Sequence, residues 1–390
     1  MGITINSEAL NNAAIGLNVI GNNIANVNTS GFKEASFSEL LKKASGGSSE
    51  TAGITQAFTQ GSISPSTNPL DMAISGNSLF RLDGGNGITY TRNGQFTVNS
   101  NNYIVNSFGD KLTGYSVDGT GKLDTNTLSD ISIDTGKSSP SATTKIQLEV
   151  SLNRLKTANI LPSTPAFDSG NSSTYDNSIT TTAYDASGSA RLIQSYFRQT
   201  DVSAWDMYTI DPTIATISNP FETAKIPFGT DGKILAGKTT YDIGGLKIDL
   251  ANSSAAAGSF SLARSSQDGK TSSDMSSYKV NNDGKIEVIY ADGTSAIRAQ
   301  VVLAKFDNLQ GLTASSNNQW TESSLSGKPR VGVAGSGGFG SIQGGSIEGS
   351  NVDLTTEMVK LIAAQRAFQS AAEVVKKQDE TVQTINRIGG

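Results

Sequence analysis

The side chains that do most acid–base and nucleophilic chemistry are missing from this chain, which has no histidine and no cysteine. Ser-His-Asp and Cys-His catalysis, disulfides and the usual zinc sets are thereby excluded. Carboxylate pairs, Ser-Lys dyads and calcium sites remain open to it. Its aspartates do not group for such work: many stand in Asp-Gly pairs, at Asp83-Gly84, Asp118-Gly119, Asp231-Gly232, Asp283-Gly284 and Asp292-Gly293. In that setting the carboxylate bonds its own turn and the glycine takes a positive φ. Gly84-Gly85-Asn86-Gly87 is glycine-rich but lacks phosphate-loop spacing. No catalytic, metal-binding or cofactor-binding residue is assigned. The expectation is a non-enzyme that needs no cofactor.

Composition narrows the classes further. The 30 basic and 35 acidic side chains give a net charge of −5, with no basic run to grip nucleic acid. Hydrophobic residues are 36% of the chain and 41 residues are glycine, a balance that suits short strands, tight turns and an uncharged polar surface. No stretch approaches the ~20 apolar residues of a membrane span. Met1–Leu10 lacks the basic start and apolar core of a Sec-type signal peptide. The chain is therefore expected not to span a membrane and, if exported, to leave without cleavage.

The strongest patterns lie at the two ends. Ile3, Leu10, Leu17 and Ile24 recur every seven residues, with Ala13, Ile20 and Val27 on a second seam interrupted by Asn6. Asn11, Asn18, Asn22 and Asn26 fall mostly on the opposite face. At the other end Leu354, Leu361, Phe368, Val375 and Val382 recur every seven, with Met358 and Ala372 on a second seam that turns polar at Gln365, Asp379 and Asn386. Ser350-Asn-Val-Asp353 offers caps for that helix. Two heptad helices separated by a Gly/Ser-rich middle are marginal alone, so the remaining apolar faces are expected to bury against other copies.

Between the ends the chain reads as β structure. Lys285–Tyr290 and Ala299–Phe306 flank the Asp292-Gly293 turn signal, and Ile146, Leu148 and Val150 alternate along another strand. The fold class expected is α+β and multidomain: a terminal α-helical coiled coil, with amino- and carboxy-terminal helices paired, plus two mainly β domains inserted in series. The coiled-coil core takes residues 1–30 and 352–390. Connecting segments take 31–71 and 336–351, an inner β domain 72–144 and 278–335, and an outer β domain 145–277.

Read together, the ends resemble the flagellar axial protein family of rod, hook and hook-junction proteins. Leu17-Asn-Val-Ile-Gly-Asn-Asn-Ile-Ala-Asn-Val-Asn-Thr-Ser-Gly-Phe-Lys33 resembles its amino-terminal signature, and Ser350–Phe368 its carboxy-terminal counterpart. Asn68-Pro-Leu-Asp-Met-Ala-Ile-Ser-Gly76 and Tyr90-Thr-Arg-Asn-Gly-Gln-Phe96 resemble its inner β segments. Asn77-Ser-Leu-Phe80 departs from the glycine and paired aromatic more usual there. The insertion at 145–277 makes the hook branch the better match, since rod members are typically shorter; a distal rod or other axial protein is the alternative.

That resemblance implies an extracellular flagellar subunit, exported through the flagellar type III route. It implies a flexible helical homopolymer that transmits torque from motor and rod to filament as a universal joint and encloses the export channel. Implied partners are further copies of the chain, the distal rod protein, the hook cap, the hook-filament junction protein and the export gate. Within this picture Asn11, Asn18, Asn22 and Asn26 either line a wet lumen or form an ordinary solvated or interhelical face. Phe37-Ser-Glu-Leu-Leu41 resembles an export-gate element through Phe37 and Leu41, and otherwise reads as an i,i+4 staple on a short helix. A secreted carbohydrate-binding or adhesive β protein is the rival of another class; it requires an exposed aromatic cluster involving Trp205, Tyr208 or Trp320.

Overall fold

The computed structural model describes residues 2–40, 51–118, 121–134, 136–153, 160–161, 166–211, 222–243 and 245–388. It is mostly β, with one helix at each end, and it divides into two compact units: residues 1–135 with 275–390, and residues 136–274.

In the first unit helix α1 runs Gly2–Ala25 and helix α2 runs Leu354–Ile388. At α2 the Asp353 carboxylate accepts from the Thr356 backbone N–H at 2.7 Å, an N-cap that satisfies one of the free donors of the first turn. Over 35 residues α2 is about 52 Å long. α1 ends earlier than its heptads suggest: after Ala25 the backbone bonds tighten to i−3 spacing, Val27 to Ile24 and Thr29 to Asn26, while the Asn26 amide donates back to Asn22. Val27 therefore lies in the turn beyond the helix.

The β body of this unit centres on one large sheet. Its path runs Met275–Val280, Lys285–Tyr290, Ser295–Lys305, Lys111–Ser116, Leu79–Asp83, Ile88–Thr91, Gln319–Thr321 and Thr313–Ala314. Strict alternation along Lys285–Tyr290 buries Ile286, Val288 and Tyr290 and turns the other residues outward. Those three join Phe80, Leu82, Phe96, Ile104, Leu112 and Leu303 in the main core, where Phe80 and Phe96 meet edge to face at 5.3 Å. Gly94 is required there: a Cβ would stand 1.6 Å from the Met72 carbonyl oxygen. Two short antiparallel pairs, Ile63–Pro65 with Ser346–Glu348 and Met72–Ser75 with Ser341–Gly344, bring the early and late crossings of the chain together. A hairpin of Ala35–Leu40 and Thr51–Gln56 completes the unit.

The second unit packs two sheets over one core. Lys145–Asn153 is central to the first, parallel to Leu246–Asp249 and Ser254–Ala256 and antiparallel to Ser261–Gln267. The second is an antiparallel meander of Asn177–Tyr184, Ala190–Asp201, Ala204–Ile210 and Glu222–Pro227. Ile146, Leu148, Val150 and Leu152 from one meet Phe197, Trp205, Met207 and Ile226 from the other. Residues 138–141 pair with 270–273, closing the base of the insertion.

Two of the three aromatic candidates of the adhesive reading are buried and the third is half-buried. Trp205 and Trp320 are 2% and 1% exposed and belong to separate hydrophobic cores, while Tyr208 stacks on Phe167 at 4.1 Å. These rings are occupied in packing.

Candidate functional site

Helices α1 and α2 pack against each other. On α1, Leu10, Ala13, Leu17, Ile20 and Ile24 are half-buried, while the side chain of Ile3 lies outside the described residues. On α2, Leu361, Phe368, Ala372 and Val375 are half-buried. The second seam of α2 differs from the expected one. Glu357 is buried and Ala364, Ala371 and Gln378 are half-buried, so the seam steps three residues from Leu361 rather than four. Leu354, Met358 and Val382 stay exposed.

A polar clamp explains that register. Asn23, buried on α1, donates to Glu357 Oε2 at 3.0 Å and to the Ala35 carbonyl at 2.7 Å, and its Oδ1 accepts from the Ala35 N–H at 3.0 Å. Lys360 then joins Glu357 Oε1 at 2.6 Å to Glu34 at 2.7 Å. One amide thus ties α1 to the hairpin and to α2 together. Sequence reading missed Asn23 because its neighbours Asn22 and Asn26 supply the same residue type on a solvated face; only the pairing distinguishes it.

Burial alone would push the Glu357 carboxyl up. Hydrogen bonds from Lys360 and Asn23 outweigh it and hold the group below the usual carboxylate value. The stabilisation is therefore present above the unfolded carboxylate range and is lost as pH falls through the lowered value. Helical circular dichroism of the dilute chain should fall as pH drops below the ordinary carboxylate range, and Glu357→Gln should remove most of that step. An unchanged acid profile in the variant would contradict the clamp.

On the remaining site residues the structure is specific. Asn11, Asn18 and Asn22 are exposed, and Asn26 is half-buried as the helix-ending residue. Phe37 lies on the strand Ala35–Leu40, so the short-helix staple is contradicted; Leu41 lies outside the described residues. The Phe37 ring sits beside α1, with Cδ1 3.8 Å from where a Cβ on Gly16 would stand.

Among the described residues, one apolar stripe of α2 stays exposed. Leu354, Met358 and Ile362 follow one another at four-residue steps along α2, with Val359 beside them, and are 40, 51, 53 and 64% exposed. They form a second stripe flanking the one that faces α1. Among the described residues no grouping of three or more acidic or His/Cys side chains is arranged to hold a metal, and no helix is long and apolar enough to cross a membrane.

Known proteins line up with this layout from end to end. Residues 3–33 match the model of the flagella basal body rod protein, and 73–150 that of the flagellar hook protein FlgE/F/G D1 domain. Residues 151–284 match the flagellar basal body protein FlaE D2 domain, and 343–388 the carboxy-terminal model of the flagellar basal body rod FlgEFG proteins. Flagellar hook protein FlgE of Escherichia coli is 35% identical over 403 residues, covering 97% of each chain. The Salmonella typhimurium protein of the same name is also 35% identical with 97% coverage of each. That of Rhizobium meliloti is 27% identical, covering 95% of this chain and 94% of its own.

Proposed function

Because this chain belongs to the flagellar hook protein family, we propose that it polymerises through its terminal helices into a flexible tube. Its paired helices form the coiled-coil inner layer, and its two β units form the outer layers. The tube carries torque from motor and rod to filament and encloses the export channel. Family membership makes the chain a structural component of the flagellum; the mechanics are our reading. The observation that carries it is the exposed stripe Leu354, Met358, Val359 and Ile362 on a helix already half-covered by α1. Apolar side chains repeated along one face are stabilised only by burial, and further copies of the same chain supply it.

The division into coiled-coil core, connecting segments and inner and outer β domains is proposed to map onto the layers of that tube. Beyond its own copies, the chain is proposed to contact the distal rod protein, the hook cap, the hook-filament junction protein and the export gate. Phe37 and Leu41 are the proposed gate element. Polar Ser, Thr, Asn and Gly surfaces on the β units suit neighbours that must slide during each rotation, since wet contacts exchange at low cost.

Electron microscopy of the concentrated full chain beside a truncation lacking 1–30 and 352–390 tests this. Curved tubes from the full chain alone are expected; straight rigid tubes would favour a rod role, and assembly of the truncation would sink the terminal-helix reading. The exposed amides of Asn18 and Asn22 are proposed to line the lumen, where neither sign of charge on a passing chain would be held. Asn18→Asp with Asn22→Asp should then slow export of later flagellar subunits while tubes still form. Equal secretion would place these residues on another face.

A further inference from the structure

Just after α1 ends and just before α2 begins, Lys33 and Glu348 meet in a site closed to solvent. Lys33 Nζ is 2.7 Å from Glu348 Oε1 and 2.6 Å from the Thr59 carbonyl. The Gly61 N–H donates to the same Oε1 at 2.9 Å. Arg92 takes the other oxygen, through Nε at 2.9 Å and Nη2 at 2.6 Å. Its remaining N–H groups donate to the carbonyls of Ile74, Gly76 and Ser78 at 2.6–3.0 Å. Side-chain exposure is 1% for Lys33, 3% for Arg92 and zero for Glu348. Every guanidinium donor is used, and one carboxylate is shared by two cations.

Such a site is an expensive way to fill a core, since apolar side chains of similar volume stabilise as well or better. What a saturated, directional network adds is a single geometry. Here that geometry belongs to the two helix roots. The Gly31 N–H donates to the Glu348 carbonyl at 2.8 Å. Gly31 has a φ of +69°, and a Cβ on it would stand 2.4 Å from the Asn93 nitrogen, so the chain leaving α1 lies directly on the backbone beside Arg92. Asn351 binds the Glu34 N–H at 2.7 Å and the Ala57 carbonyl at 2.7 Å on the way into α2.

We propose that Glu348, shared by Lys33 and Arg92, is a positioning site that fixes the angle at which both terminal helices leave the β body, and through it the curvature and twist of the polymer. This rests on the assembly reading above.

Lys33→Met is the informative variant, because it leaves one buried cation facing one buried carboxylate. The full-length variant is followed by thermal unfolding at Trp320 and by electron microscopy of its tubes. Val288→Ala, a core truncation remote from the network in sequence, serves as the control for lost stability alone. The expected result is a Trp320 transition within a few degrees of the parent, with tubes shifted in curvature or pitch, or no tubes at all, while Val288→Ala tubes keep the parent geometry. Lys33→Met tubes indistinguishable from the parent's overturn the inference and leave assembly standing. So does the same shift in Val288→Ala, or a Lys33→Met chain that loses its Trp320 transition, since either makes the network a folding element only. A parent chain that forms no tubes overturns the assembly reading and this inference with it.

Discussion

Glu348→Ala is expected to remove about 3–5 kcal/mol from the first unit, the largest single loss anticipated in this chain. The carboxylate is the sole acidic partner of Lys33 and Arg92 in the network, and neither cation reaches solvent. Taking it away leaves two buried positive charges facing carbonyl dipoles alone, and the Gly61 N–H loses its acceptor. Burial already lowers the proton affinity of both groups, so each resists staying charged where it is. Domains are stable by only about 5–15 kcal/mol, so the variant unit should unfold at a markedly lower temperature. The chain has two tryptophans, and they stand in different units. Trp320 fluorescence in a Trp205→Phe background reports the first, and Trp205 in a Trp320→Phe background the second. The Trp320 transition should drop sharply while that of Trp205 holds; equal drops, or none, would contradict an energetic role confined to the first unit.

The second large effect is on assembly. Met358→Glu with Ile362→Glu places two charges in the exposed stripe of α2, where the parent side chains are 51 and 53% exposed. In the free chain little should change, because substitutions at such positions are usually within about 0.5 kcal/mol of neutral. In the polymer each parent side chain gains about 1 kcal/mol or more by completing its burial, and each carboxylate must instead be desolvated. A combined loss of about 3 kcal/mol per contact raises the concentration needed for polymerisation roughly 100-fold. Sedimentation of polymer across a concentration series measures it. An unchanged threshold would show that the stripe is not buried on assembly.

Much of this was legible in the chain because the signals were local. Heptads marked both terminal helices, alternation marked Lys285–Tyr290, and Asp-Gly pairs marked turns such as that at Gly284, whose φ is +79°. The missed residues depend on partners far away in sequence. Lys33 and Glu348 are separated by 315 positions, and each alone reads as an ordinary solvated charge. The second seam of α2 failed for a related reason. Apolar Met358 was the better candidate by hydrophobic pattern, but Asn23 and Lys360 satisfy Glu357, and a satisfied carboxylate can occupy the inward position. The alternative reading of Phe37 and Leu41 as an i,i+4 staple on a short helix fails because the strand Ala35–Leu40 is specified by pairing across the hairpin, Phe37 opposite Ile54.

The mismatch in helix length, 24 residues in α1 against 35 in α2, has a consequence for how growth begins. α2 is thereby longer than α1 by about 11 residues, roughly 16 Å, a stretch that α1 is too short to cover. Completing it with the same surface of a second copy would close a symmetric pair and stop there. Completing it with a different surface leaves a fresh overhang after every addition, so the array stays open-ended and polar. Early aggregates then have more unsatisfied ends per subunit than long ones do. Such a chain should show a lag before polymer appears, abolished by seeds and lengthened by dilution.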